Sequence, residues 1–249
     1  MKKLFLVSIS SVFLFSVSQA QLKNFFKKDS TGKTGADKMV QKLSGKSSGN
    51  LTNDEVISGL KEALQVGTQR STDKLSAVDG FFKNAAIKIL MPPEAEKVER
   101  TLRSVGLGKQ VDNAILSMNR AAEDAAKSAT AIFIDAIKQM TIQDAFGILK
   151  GGDFAATNYL KEKTTASLTA AFRPVIDSSL KKVNATKYWN TVFTTYDKFS
   201  KDKVNTDLPA YVTDKALSGI FYQVGQEEQK IRKDPVARTS DILKKVFAN

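Results

Sequence analysis

Residues 118–133 read "MNRAAEDAAKSATAIF", and the fold is decided by how this stretch is read. Working outward from it, apolar or small residues fall at Val111, Ile115, Met118, Ala122, Ala125, Ala129, Ile132 and Ala136. The steps alternate four and three, which puts all of them in one narrow stripe of a helix. The pattern predicts a single long central helix of about thirty residues, from near Gln110 to Met140, roughly 45 Å at 1.5 Å per residue. Half of the stripe is Ala. Side chains that small fill a core only when a neighbour comes very close. Either another helix packs within about 8 Å, or Met118, Ile132 and Phe133 border a space for an apolar ligand. Close packing is the first expectation.

Helical signals continue on both sides. "LTNDEV" offers Thr52 as N-cap with Glu55 three residues on, a capping box, and Val56, Leu60, Ala63, Leu64 and Gly67 continue one face. In "FFKNAAIKILMPP", Ile87 and Ile89 alternate with polar neighbours, so the segment reads as an extended connector before Pro92-Pro93 opens a new helix. Val98, Leu102 and Val105 line that helix, which stops at Gly106. Thr141 with Asp144 starts a short helix ending at Gly151-Gly152, and Asp153 is expected to cap the next one. Pro174 should kink or break it. "KYWNTVFTTYDKF" gathers aromatics around Trp189, and Asp207-Leu208-Pro209 opens a long helix reaching Asp234. A last amphipathic helix presents Ile242, Leu243, Val246 and Phe247. With no alternating strand pattern and no internal repeat, the reading is an all-α, single-domain multi-helix bundle over residues 51–249.

The leading residues speak to compartment. Met1, Lys2 and Lys3 precede the apolar run "LFLVSISSVFLFSVS", and Ser18-Gln19-Ala20 supplies small residues at a cleavage site. Residues 1–20 therefore read as a secretory signal peptide, with export to the periplasm expected, soluble or peripheral to the membrane. The formal charge of +12 falls to +10 without Lys2 and Lys3. Residues 21–50 carry seven Lys against Asp29 and Asp37, net +5, in a basic, flexible, Gly- and Ser-rich segment. Its opening, "QLKNFFKK", sets Leu22, Phe25 and Phe26 beside Lys23, Lys27 and Lys28, which would suit an anionic membrane surface. Nucleic acid is not an expected partner, because the body lacks a concentrated basic face with interleaved aromatics.

The chain has no Cys and no His. Disulfides, thiol catalysis, a Ser-His-Asp triad and His- or thiolate-bound zinc are thereby excluded. No metal or organic cofactor is expected.

The segments "GLKEAL", "DGFF", "GLGKQVD", "MNRAAEDA", "DAIKQMTIQDAFGILKGGDFAATNYL" and "DLPAYVTDKALSGIF", followed by "EEQKIRKDPVAR" and "LKKVF", together resemble an uncharacterised bacterial family. It is the domain of unknown function numbered four-one-nine-seven, and the likeness covers about residues 50–249. The resemblance implies a secreted, all-helical protein of Gram-negative bacteria. It implies no reaction.

Polar residues of those segments supply the candidate ligand-binding set. Asn119, Arg120 and Glu123 flank the alanine stripe with Met118 and Phe133, and Arg120 meets Glu123 or Asp124 one turn away as a solvated surface pair. Turned inward, Arg120 would instead fix a ligand carboxylate or phosphate. Tyr211 and Lys215, and Glu228 and Arg232, form two further pairs four apart on one helix. "LKGGDFAATNY" has the glycines of an anion nest but no Walker spacing, and reads as a joint between two helices. The first functional expectation is an exported, non-enzymatic protein that binds an apolar or amphipathic ligand or an envelope partner. The alternatives are a carboxylate hydrolase using Glu123, Asp135 or Glu227 with Arg120, and a membrane-surface adaptor held by the basic leading segment.

Overall fold

The computed structural model describes residues 52–182, 189 and 207–234. The expected signal peptide, the basic segment with Leu22, Lys23, Phe25, Phe26, Lys27 and Lys28, and the last amphipathic helix lie outside the described residues. Among those described, every regular element is a helix, so the fold is all-α. The helices are α1 (Asn53–Ser76), α2 (Glu96–Ser104), α3 (Gly108–Ala126), α4 (Ala129–Lys138), α5 (Ile142–Lys150), α6 (Ala155–Lys182) and α7 (Leu208–Lys233). A short 3₁₀ turn at Pro93–Ala95 precedes α2.

Local signals set many of the boundaries. Gly106 takes φ 82° after α2, a backbone region open to glycine at little cost. At α5, the Thr141 hydroxyl accepts the Asp144 amide and the Asp144 carboxylate accepts the Thr141 amide, closing a capping box. The Asp207 carboxylate accepts the Ala210 amide at 3.0 Å, and Pro209 sits in the first turn of α7.

Two local signals are overridden. The helix expected over 110–140 is divided at Lys127-Ser128. There the Ser128 amide and hydroxyl both donate to the Ala125 carbonyl, at 3.0 and 2.8 Å, tightening the turn and interrupting the i to i−4 ladder. Beyond the break the buried row passes to Phe133 and Ile137, and Ile132 and Ala136 are only partly buried. Pro174 ends nothing. α6 runs 28 residues through it, about 42 Å, because Phe172 and Ile176 on either side are both fully buried.

The long central element is therefore α6, with α3, α4 and α7 packed around it. Ala121, Ala122, Ala125, Ala126 and Ala129 are all fully buried in the common core, which is how the small-residue stripe lets α3 lie close on α6. Phe133 meets Phe221 edge-to-face at 6.1 Å, tying α4 to α7. Gly219 leaves room for the Phe81 ring, which lies 2.5 Å from where a Cβ would stand.

Candidate functional site

The first set of polar candidates faces inward and is already occupied by the chain itself. Asn119 is fully buried on α3: its amide nitrogen donates to Ile89 O at 2.8 Å and its oxygen accepts Ile89 N at 2.9 Å. One turn on, Glu123 Oε1 accepts the amides of Phe81 and Phe82 at 3.1 and 3.2 Å. Its other oxygen takes Arg120 at 2.6 Å, and Arg120 reaches Asp79 at 2.7 Å. These bonds pin the connector between α1 and α2. Its chain turns over residues 77–87 and then continues without regular structure to an extended Pro92, with Asp79 at φ 71°. The expected solvated pair is thus a correction. Glu123 is 4% exposed, because a carboxylate that accepts two amides and a guanidinium can be buried where a lone one cannot. Lys83 first, then Arg120, holds the Asp79 carboxyl below its ordinary value, and Glu123 and Asp79 push Arg120 further above its own.

The second set does the same at a helix end. Glu228 on α7 accepts Ala156 N at 3.1 Å, Thr157 N at 2.9 Å and the Thr157 hydroxyl at 2.7 Å. Those are first-turn donors of α6, so Glu228, not the expected Asp153, caps it from another helix. Arg232 donates to Glu228 at 2.9 Å and to Ile148 O at 3.1 Å, and Gln229 donates to Asp153 O. The anion that suits the Gly151-Gly152 joint is therefore the protein's own carboxylate. The space beside it is only about 30 Å³ and is walled mostly by apolar side chains, Leu60, Leu64, Ile148 and Ile231 among them.

The three carboxylates weighed for hydrolysis lie on different helices with different partners. Glu123 is held as above, Asp135 is an exposed residue of α4 near Lys138 at 3.9 Å, and Glu227 accepts Lys230 at 2.7 Å and Gln223 at 3.3 Å. Among the described residues no group of three acidic side chains could hold a metal ion.

An open surface lies elsewhere, between α6 and α7. A trough of about 700 Å³ is walled by Leu217, Phe221, Tyr222 and Gly225 of α7 and by Phe154, just before α6. Phe154 and Tyr222 remain 46% and 44% exposed. Asp214 and Ser218 are shared with a neighbouring hollow of about 340 Å³ that contains Pro92, Pro93, Tyr211 and Lys215. Tyr211 donates to Leu90 O at 2.9 Å, Lys215 lies 5.7 Å from its ring centre, and burial, then Glu94, raises the phenol's pKa. Tyr211 and Lys215 thus border an opening, whereas Met118 and Phe133 are buried in the core.

Sequence reasoning missed Phe154, Leu217, Phe221 and Tyr222. Their signal was an apolar arc too wide for one buried stripe: Val212, Ala216, Ile220 and Val224 already fill the core-facing row of α7.

The family model described as "Protein of unknown function (DUF4197)" matches residues 50–248. No curated protein and no solved structure matches the chain.

Proposed function

Because the chain belongs to the DUF4197 family, whose description assigns no function, we propose from its own residues that it is an exported, non-enzymatic binding protein of the cell envelope that seats an amphipathic occupant along the α6–α7 trough. The observation that carries the reading is the trough itself. Its volume of about 700 Å³ is of ligand-site size, and large aromatic side chains stay half in water at its edge. The polar candidates support it by contrast: Asn119, Glu123 and Glu228 spend their hydrogen-bonding capacity on backbone groups. The apolar run of residues 4–18 and the small residues Ser18 and Ala20 support export.

Native mass spectrometry of protein recovered from the envelope tests both parts. A chain beginning at Gln21 supports export, and one retaining Met1 contradicts it. A stoichiometric added mass present in the wild type and absent from a Phe154→Ser, Tyr222→Ser double variant supports binding at the trough. Equal masses for the two proteins count against it. Both substitutions fall on half-exposed side chains, so the fold should survive them.

A further inference from the structure

Resting on the trough as the binding surface, we propose that its occupant is one amphipathic α-helix of a partner protein, with an acidic residue on one flank and a basic residue on the other. The walls have the repeat of a helix-packing seam. Within the lining, one row on the α6 side steps Phe154, Asn158, Lys161, Thr165, and one row on the α7 side steps Asp214, Ser218, Phe221, Gly225. Both rows advance four, three and four residues, the spacing into which the ridges of a third helix fit. Each row spans about 16 Å, three turns. Gly225 keeps the floor low: a Cβ there would stand 3.2 Å from the Phe154 ring.

Charge decides between a helix and a single-headed amphiphile. The bonds from Thr157 to Glu228 and from Arg173 to Asp207 set α6 and α7 antiparallel. Lys161 on one wall is then level with the Phe221–Val224 turn of the other, and Asp214 lies about two turns away along α7. Both line the trough, and neither forms an ion pair among the described residues. An amphiphile with one anionic head answers Lys161 and leaves Asp214 unmatched. A helix with opposite charges on its two flanks answers both. A helix about 10 Å across also covers the half-exposed Phe154 and Tyr222, which an acyl chain lying in an open trough leaves partly wet.

The test uses the full chain and three synthetic 18-residue helical peptides sharing one Leu stripe, with flanks Glu/Lys, Lys/Lys and Glu/Glu, read by fluorescence anisotropy, with dodecanoate as the single-headed amphiphile. The wild type should prefer the Glu/Lys peptide by about threefold or more, the scale of exposed charge pairs. Lys161→Glu should move the preference to the Lys/Lys peptide, and Asp214→Lys to the Glu/Glu peptide. Equal affinities, or preferences the variants do not move, overturn the inference. Dodecanoate bound in place of every peptide, and lost in the Phe154→Ser, Tyr222→Ser variant, removes the helix and leaves the trough as a binding surface. Failure of peptides and dodecanoate alike removes both.

Discussion

Two clamps in this bundle use the same chemistry on different targets. On α3, Glu123 accepts two successive amides of a connector, Phe81 and Phe82, with Arg120 of its own helix on the second oxygen. On α7, Glu228 accepts two successive amides of a helix start, Ala156 and Thr157, with Arg232 of its own helix beside it. The two carboxylates are buried alike, and the difference is the depth of the arginine. The Arg120 side chain is 38% exposed and that of Arg232 17%, and Glu228 takes the Thr157 hydroxyl as well. The comparison teaches that a Glu and an Arg one turn apart, read on a sequence as a surface pair, become architecture once backbone amides are brought to them.

The largest expected effect is at the clamp with the more buried arginine. Glu228→Ala should cost about 3–5 kcal/mol in urea denaturation, because Arg232 and two first-turn amides of α6 lose their partner together. Glu123→Ala should cost less, about 2–3 kcal/mol, since water reaches Arg120 once the carboxylate is gone. An inverted order would break the depth argument. Ala125→Leu leaves both clamps intact and tests the α3 packing beside the first. Ala125 is fully buried, so overpacking should lower stability by about 1–3 kcal/mol. Little change would instead reveal space beside the alanine stripe.

The smallest effect contrasts a cap from the adjoining residue with the cap α6 receives from another helix. Asp207→Ala should cost about 0.5–2 kcal/mol at neutral pH. The Ala210 amide, then Arg173, holds the Asp207 carboxyl below 3.8. Its folded value is depressed, so its contribution is full above that pH and fades as pH falls through the lowered folded value. Denaturation of wild type and variant should therefore converge on acidification below about pH 3.8.

The sequence shows how far local signals carry. Gly106, the Thr141–Asp144 box and Asp207-Leu208-Pro209 marked boundaries correctly, since each acts within one turn. The division at Lys127-Ser128 was not legible because it turns on two bonds from Ser128 to one carbonyl, and Pro174 does not break α6, whose buried neighbours carry it through. Asn119, Glu123 and Glu228 stood out as residues, but their roles depend on partners 30, 42 and about 72 positions away. The trough was least legible. It exists only where Phe154 meets the second apolar row of α7.

Hydrogen exchange followed by NMR at four amides is the most direct measurement. In Glu228→Gln the Ala156 and Thr157 amides should lose protection, with Phe81 and Phe82 unchanged, and Glu123→Gln should show the reverse. If each substitution leaves its own pair of amides as protected as before, the carboxylates are not spent on the backbone, and the polar motifs return as sites for chemistry.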